Sequence, residues 1–230
     1  MFQRPQRLGE RSTKMSEYIS SDRRSHFIDV GDTLIHALDW GGEGPPLILI
    51  HGASRTGRSW NAVARRLRDV FRVIAIDVRG HGDSGATLTG NDCPNRMRDI
   101  AKTIEHLNLD PQYVMAHSFG GAPAGLYASH YPGNVKSLIL IEPMVDIHIF
   151  WTRGETSKTD WANRVGTGRR NNWPSIQILK ERIQVNAATK SWDPEVLNDI
   201  LLEETHVFPD GHVEIKWDRS IYNLDEMWND

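Results

Sequence analysis

Four short, mostly apolar runs constrain the fold of this chain most strongly. They cover residues 47–50, 71–76, 113–116 and 135–141, and only Arg72, Lys136 and Ser137 interrupt them. Short apolar runs of this kind are typical of buried strands of a sheet. Helical periodicity lies between them, at residues 59–67, 96–107 and 122–130. Because strands alternate with helices, the sequence predicts an α/β fold with a mostly parallel central sheet.

The segment before these runs has two parts that differ in composition. Residues 26–30 and 33–38 flank Gly31 and Asp32, a two-residue turn signal that is typical of a β-hairpin. Residues 1–24 carry many basic and few large apolar side chains, which predicts a flexible N-terminal tail. We therefore expect a tail over residues 1–24 and an α/β core over residues 25–143.

The segment after residue 143 is aromatic and mostly helical. Six of the eight tryptophans follow residue 150, and helical patterns occur near Trp161, at 176–184 and at 194–202. A hairpin is expected over residues 206–217. An aromatic-rich segment that follows the last parallel strand predicts a helical lid and hairpin over residues 144–230, covering an apolar pocket. Ordinary aromatic packing is the alternative interpretation.

Composition excludes several classes of protein. The net charge is −3 and charges of both signs are mixed along the chain, so no nucleic-acid-binding face is expected. No stretch approaches the ~20 apolar residues of a membrane helix, and the N-terminus lacks a signal peptide's apolar core. The single cysteine, Cys93, excludes an internal disulfide. We expect a cytoplasmic protein without membrane contact.

The third apolar run leads directly into the sequence Ala-His-Ser-Phe-Gly-Gly at residues 116–121, followed by a helix. A strand, a tight turn and a helix form the context in which a serine between small residues acts as a nucleophile. The small neighbours are needed because larger side chains would collide with the adjacent strand and helix. Ser118 is therefore the predicted nucleophile, and a helix N-cap is the alternative role.

The first run ends in a turn that faces the same edge of the sheet. The turn comprises His51, Gly52, Ala53 and Ser54. It is able to direct the backbone N–H of Ala53 toward the cleft that the N–H of Phe119 also faces, which predicts an oxyanion hole. Alternatively, Gly52 only permits a strand-to-helix turn.

The second run ends in a glycine-rich loop, residues 77–85, that contains the Gly-x-Gly-x-x-Gly spacing of dinucleotide-binding loops. A phosphate-binding loop needs a helix N-terminus directly after its glycines, whereas residues 86–94 read as further loop. We therefore expect no nucleotide cofactor, and no residues have the spacing of metal ligands.

Taken together, these elements resemble the α/β-hydrolase fold family, over about residues 25–217. The resemblance rests on a strand leading to His-Gly, then Asp-x-Arg-Gly-His-Gly-x-Ser, then the serine turn, in that order. It implies that Ser118 attacks a carbonyl, that a histidine and an acid activate it, and that the N–H groups of Ala53 and Phe119 bind the oxyanion. Aspartate at the turn would indicate epoxide hydrolases or dehalogenases. Serine indicates hydrolysis of a small ester, thioester, amide or C–C substrate, without a cofactor.

The sequence departs from the family pattern at the base and the acid. In the family these follow two further strands after the lid, and the sequence ends before them, which predicts a C-terminally truncated fold. Glu142, at the end of the fourth run, is the candidate acid, with a solvated carboxylate as the alternative. His51, His117, Trp151 and Trp161 are candidate substrate-binding residues.

Other histidines offer no clear base: His81 occupies a family turn position, whereas His148, His206 and His212 lie in or near the lid. Two functions therefore remain open. One is a serine hydrolase that is weak or inactive in this form, since a serine without its base is a poor nucleophile. The other is a non-catalytic binding or interaction protein. The strand at 135–141 is expected at the sheet edge, which predicts self-association.

Overall fold

A six-stranded sheet forms the main body of the protein. The computed structural model describes residues 23–109, 112–144, 170–187, 189–218 and 221. The strands are β1 Arg24–Asp29, β2 Leu34–Asp39, β3 Pro46–Ile50, β4 Arg72–Ile76, β5 Gln112–His117 and β6 Val135–Ile141. They lie in the order β1-β2-β4-β3-β5-β6. The last four are mutually parallel, whereas β1 and β2 run antiparallel, so the predicted mostly parallel sheet is confirmed.

The predicted hairpin at the start of the sheet is also present. Asp29 of β1 pairs with Leu34 of β2, and the N–H of Val30 donates to the carbonyl of Thr33 at 3.1 Å. Gly31 has a φ of +103°, a conformation that side chains disfavour. The turn at Gly31 and Asp32 therefore sets the register between β1 and β2.

Three helices connect the parallel strands: α1 Asn61–Leu67, α2 Cys93–His106 and α3 Gly121–His130. A short 3₁₀ turn, Gly57–Trp60, precedes α1 where the sequence predicted α-helix from residue 59. Helix α2 begins three residues before its predicted start. The reason is its cap, since the Asp92 side chain accepts from the N–H of Asn95 at 2.7 Å and Pro94 fits the first turn.

Both faces of β3 are buried, which accounts for its unbroken apolar run. In β3, Ile48 and Ile50 pack into the cluster that also contains residues of α2 and α3. Leu47 and Leu49 point to the opposite face, into a cluster with residues of β2 and α1. Burial of one such side chain contributes roughly 1.5–3 kcal/mol, and all four have at most 2% of their surface exposed.

The C-terminal part forms a smaller unit with its own apolar cluster. Helices α4 Ile176–Val185 and α5 Pro194–Glu203 accompany an antiparallel sheet of β7 Asn172–Trp173, β8 Thr205–Val207 and β9 Val213–Ile215. Leu179, Leu201 and Val213 form the centre of this cluster. The helices predicted at 176–184 and 194–202 and the hairpin are thus present. Of the tail expected over residues 1–24, Arg24 instead begins β1, and residues 1–22 lie outside the described residues. Residues 145–169, with Trp151 and Trp161, also lie outside them.

Several contacts fix the C-terminal unit against the sheet. The N–H of Gly82 donates to the carbonyl of Lys216, and the N–H of Asp218 donates to the carbonyl of Gly80, both at 2.8 Å. Arg65 of α1 donates to Asp199 of α5 at 2.7 Å. The C-terminal unit therefore lies at the edge of the sheet where the parallel strands end.

Strand β6 is an edge strand of the sheet, as the sequence predicted. Ile139 and Ile141 are 42% and 39% exposed there. Among the described residues, no helix is long and apolar enough to cross a membrane.

Candidate active site

Ser118 lies in a strained turn between β5 and α3. Its φ is +48°, a left-handed conformation that costs a non-glycine residue of order 1–3 kcal/mol. A Cβ on Gly120 would lie 2.6 Å from Cγ2 of Ile50 and 2.7 Å from the carbonyl oxygen of His51. The tight turn therefore needs its small residues, as the sequence argument required.

The alternative role of Ser118 as a helix cap is not observed. The N-cap of α3 is Gly120, and no side chain caps that helix. In the described part of the chain, the Ser118 hydroxyl makes no hydrogen bond. The described residues therefore give the Ser118 side chain no structural role.

The His51–Ser54 turn approaches the serine turn closely. A Cβ on Gly52 would lie 2.7 Å from Nδ1 of His117 and 3.3 Å from Cβ of Ser118. Gly52 is thus required for the approach of the two turns, beyond the flexibility of its own turn. Ala53 and Ser118 line the same cavity, whereas the Phe119 side chain is 4% exposed and packs in the core.

The cavity has a volume of about 820 Å³ and lies between the sheet edge and the C-terminal unit. This volume is within the range of ordinary ligand sites, about 300–1,000 Å³. On the sheet side it is lined by the two turns, including His117 and Ser118. On the other side it is lined by Trp173 and Trp192, together with residues of α4. Aromatic residues of the C-terminal unit thus line this cavity, and Trp151 and Trp161 lie outside the described residues.

His117 lies on the cavity wall beside Ser118. Burial lowers the pKa of the His117 imidazole, Glu142 opposes this effect, and Arg55 adds to it. The ring is therefore neutral at neutral pH. Glu142 itself is exposed directly after β6 with a φ of +45°. The structure thus brings Glu142 within electrostatic reach of His117.

His51 does not lie where the sequence prediction expected it. Its side chain is fully buried and absent from the cavity wall. Nδ1 donates to the carbonyl of Gly52 at 2.8 Å, and Nε2 accepts from the N–H of Val78 at 3.0 Å. Burial lowers the pKa of this imidazole. His51 therefore holds two turns together as a neutral ring and is not a substrate contact, which corrects the prediction.

His81 has the same kind of role. Its Nδ1 donates to the carbonyl of Arg79 at 3.1 Å, and its Nε2 accepts from the N–H of Ser54 at 3.3 Å. Burial lowers the pKa of the His81 ring well below its usual range. Both ring nitrogens are engaged, so His81 is unavailable as a base for Ser118.

The two described lid histidines lie at the small hairpin. His212 stacks on Phe208 with 4.0 Å between ring centroids, and His206 packs on the same ring at 4.5 Å. Neither lines the cavity. Within the described ranges, then, no histidine forms a hydrogen bond with the Ser118 hydroxyl, and His148 lies outside them.

The glycine-rich loop surrounds the buried carboxylate of Asp77. That carboxylate accepts from Nδ1 of His36 at 2.7 Å, from the N–H of Gly57 at 2.5 Å and from the N–H of Asp83 at 2.9 Å. Burial raises the pKa of Asp77, but the His36 hydrogen bond and the charge of Arg58 outweigh burial and hold this pKa well below its usual range.

The glycines of the loop allow its backbone to approach the Asp77 carboxylate closely. Gly82 has a φ of +60°, and a Cβ there would lie 2.2 Å from Cγ of Asp77. The next helix begins only at Cys93, so the loop lacks the helix N-terminus that a phosphate needs. His36, Asp77 and Asp83 bring potential ligand atoms within 4.8 Å of one another. However, Arg58 and Lys216 pair with Asp83 and supply the positive charge there, which favours a structural network over a metal site.

Sequence reasoning missed two residues beside the cavity, Arg55 and Glu204. Arg55 lines the cavity directly after the Ala53 turn, so its position next to a predicted site was a usable signal. Glu204 is fully buried, and its contact with Arg55 depends on the packing of the C-terminal unit, which has no signal in the local sequence.

The comparisons with known proteins agree with this geometry. The family model described as the alpha/beta hydrolase fold matches residues 45–165. A soluble epoxide hydrolase of Corynebacterium sp. (strain C12) is 35% identical over 101 residues, 44% of this chain and 35% of that protein. A bifunctional esterase/perhydrolase of Acinetobacter calcoaceticus is 34% identical over 106 residues, 45% of this chain and 38% of that protein.

The matched region thus spans little more than a third of the length of these relatives. A crystal structure of E-2-(acetamidomethylene)succinate hydrolase superimposes with a TM-score of 0.73 at 20% identity, covering 88% of this chain and 71% of the other, and shows the shared fold. The parallel sheet, the serine turn and the match to the family model lead to one conclusion: the chain belongs to the α/β hydrolase fold family.

Proposed function

We propose that this chain is a serine hydrolase of small carbonyl compounds, with Ser118 as the nucleophile. One observation carries the proposal: Ser118 has a φ of +48° and lies on the wall of a cavity of about 820 Å³. A strained backbone conformation persists only where the surrounding structure enforces it, and such positions cluster at functional sites. Here the strained turn places Ser118 on the wall of a cavity that is large enough for a small substrate.

In the proposed reaction, the Ser118 hydroxyl oxygen attacks the substrate carbonyl and forms a tetrahedral intermediate. The proposed oxyanion donors are the backbone N–H groups of Ala53 and Phe119. Their support is positional: Ala53 lines the cavity beside Ser118, and Phe119 follows Ser118 in the turn. Loss of one oxyanion donor typically lowers turnover by 10²–10³.

Glu142 remains the proposed acid of the site, supported by its effect on the pKa of His117. The base is the weak point of the mechanism, because no described histidine forms a hydrogen bond with the Ser118 hydroxyl. Removing the base of a serine protease lowers turnover by about six orders of magnitude. We therefore propose that the chain in this form reacts slowly with its substrate. Substrate contacts by Trp151 and Trp161 remain predictions from the sequence.

The presence of serine at position 118 narrows the class of reaction. Within the family, aspartate at this position accompanies epoxide hydrolases and dehalogenases, whereas this chain has serine. A serine nucleophile supports hydrolysis of an ester, thioester, amide or C–C bond through an acyl-enzyme. The esterase/perhydrolase among the relatives agrees with this class.

A non-catalytic binding protein is the second candidate. The observation that favours it is the Ser118 hydroxyl, which has no hydrogen-bond partner in the described ranges. In this case the cavity binds a small molecule without reaction.

A fluorophosphonate probe distinguishes the two functions, because it labels only an activated serine. We expect slow, time-dependent labelling of the wild type and none of Ser118→Ala. Ser54→Ala is the matched control, since Ser54 lines the same cavity and also has a positive φ, of 59°. It should keep the label. If folded wild-type protein takes up no Ser118-dependent label, the binding protein is the better account.

We also propose self-association of this chain through the edge strand β6, which pairs with no described strand on its outer side and carries exposed isoleucines. A cytoplasmic location remains a prediction from the sequence, which imaging of a fluorescent fusion tests.

A further inference from the structure

Positively charged residues line the cavity beside Ser118. They are Arg55, Arg170 and Arg182, of which the last two are also exposed to solvent. Of the lining residues that the structure describes, none is acidic. Positive groups gathered in a partly enclosed site raise the local concentration of anions, because its low-dielectric walls focus the field.

Of the three arginines, Arg182 gives the strongest indication of an anion-binding role. It belongs to α4, and it lines the cavity together with Leu179 and Ile183 of that helix and with the capping residue Asn186. Leu179, Arg182 and Ile183 follow the i, i+3, i+4 spacing of one helix face. Over the described residues, Arg182 forms neither a hydrogen bond nor an ion pair. Its charge is therefore available to a ligand.

Arg55 is held beside the nucleophile with its charge only partly balanced. Its guanidinium lies 4.8 Å from the centre of the Trp192 ring, and Nη1 lies 3.5 Å from Oε2 of Glu204. Burial raises the pKa of Glu204 to about 7. Close to half of the Glu204 carboxyls are thus protonated at neutral pH, and the Arg55 cation keeps excess charge facing the cavity.

Arginines stacked on tryptophans also occur where their stems merely cover apolar surface. That interpretation accounts for Arg170, which lies over Trp173 at 4.8 Å and donates to the carbonyl of Asn172. It does not account for Arg182, which stacks on no described aromatic ring.

Much of the remaining cavity wall is apolar, beside a few neutral polar residues. Trp173, Trp192 and Trp217 line it, together with Leu179 and Ile215. Such a wall suits a hydrocarbon or aromatic body, while the guanidinium groups suit an anionic end. Arginine matches a carboxylate or a phosphate equally well, since both accept its paired N–H donors.

We propose that this cavity selects a small carbonyl compound with an apolar body and one anionic group, and that Arg182 and Arg55 bind that group. The inference deepens the proposed function, because it names the substrate class of the Ser118 site. Carboxylate and phosphate share the required chemistry.

The test measures binding by calorimetry with three probes that contain no hydrolysable acyl bond: 4-phenylbutanoate, 2-phenylethyl phosphate and the neutral 4-phenyl-1-butanol. We expect the anions to bind roughly tenfold more tightly than the alcohol, which corresponds to one charge-assisted hydrogen bond. The tighter of the two anions identifies carboxylate or phosphate as the natural group.

Arg182→Gln should remove most of the preference for the anion and leave alcohol binding unchanged. Lys180→Gln is the matched control, since it removes one positive charge from the same helix at an exposed position outside the cavity. Arg55→Lys should also weaken anion binding, because lysine lacks the planar fork. Circular dichroism melting verifies the fold of each variant.

Equal affinities for the anions and the alcohol would overturn the proposal. So would a Lys180→Gln effect as large as that of Arg182→Gln. The measurement does not depend on catalysis, so anion binding without fluorophosphonate labelling would leave this inference intact and refute only the hydrolase.

Discussion

Nη1 of Arg55 lies 3.5 Å from Oε2 of Glu204, a carboxyl group that is completely buried. Neither carboxyl oxygen of Glu204 accepts a hydrogen bond from a described residue. Burial therefore dominates and raises the pKa of Glu204 to about 7, with Arg55 and Arg58 opposing the shift. This pair links the cavity to the packing of the C-terminal unit and makes stability depend on pH.

Glu204→Gln should flatten that dependence. Since the folded pKa lies above the ordinary 4.5, the contribution of Glu204 is fully present below about pH 4.5 and is lost as pH rises through 7. The shift corresponds to about 3 kcal/mol. Urea unfolding from pH 4.5 to 8 should show the wild type losing stability relative to Glu204→Gln by about that amount. Glu105→Gln, at an exposed position of α2, should follow the wild type, and parallel curves for all three proteins would contradict the assignment.

Two glycines near the nucleophile should respond in opposite ways to alanine. A Cβ at position 120 meets Ile50 at 2.6 Å, whereas a Cβ at position 125 meets nothing within 4 Å. Gly120→Ala should destabilise the protein by roughly 1–3 kcal/mol and abolish fluorophosphonate labelling, because the serine turn must shift. Gly125→Ala, inside α3, should stabilise by about 0.5–1 kcal/mol and keep the label. Equal stabilities of the two variants would refute the packing argument.

The sequence predicted the central strands well because burial on both faces leaves a direct signal, as in β3. The run at 135–141 also matches β6 at both ends, although this edge strand contains no buried residue, and the hairpin at Gly31 is present. Helix α2 begins earlier than expected because a side-chain cap, not apolar periodicity, decides its first turn.

The candidate site was predictable only where backbone geometry determines it. Ser118 and Gly52 follow from tight turns, whose small residues are visible in the sequence. His51 was misassigned because both of its ring nitrogens engage backbone groups, one of them in a distant loop. The Arg55–Glu204 pair joins segments far apart in the chain, so periodicity and motifs carry no information about it.

Asp77→Asn should destabilise the protein by about 3–5 kcal/mol, because it removes the charge that His36 and Arg58 face in a buried site. The amide would also direct N–H donors at backbone N–H groups. The Asp77 pKa lies below the ordinary 3.8, so its stabilisation is present above pH 3.8 and lost as pH falls below that value. Acid unfolding should therefore be less steep in the variant. Asp69→Asn, exposed after α1, should leave the unfolding curve unchanged.

A lysine on the β6 edge should prevent self-association. Ile139 and Ile141 are exposed on the same face of β6, and lysine at an edge opposes pairing with a second chain. Sedimentation velocity over increasing concentration should show association of the wild type and mainly monomer for Ile139→Lys. Leu88→Lys is the matched control, since Leu88 is an 86% exposed apolar residue away from the edge, and it should associate like the wild type. A wild type that stays monomeric at high concentration, or an equal effect of Leu88→Lys, would show that β6 is not the contact, because the proposal requires the apolar edge itself to pair.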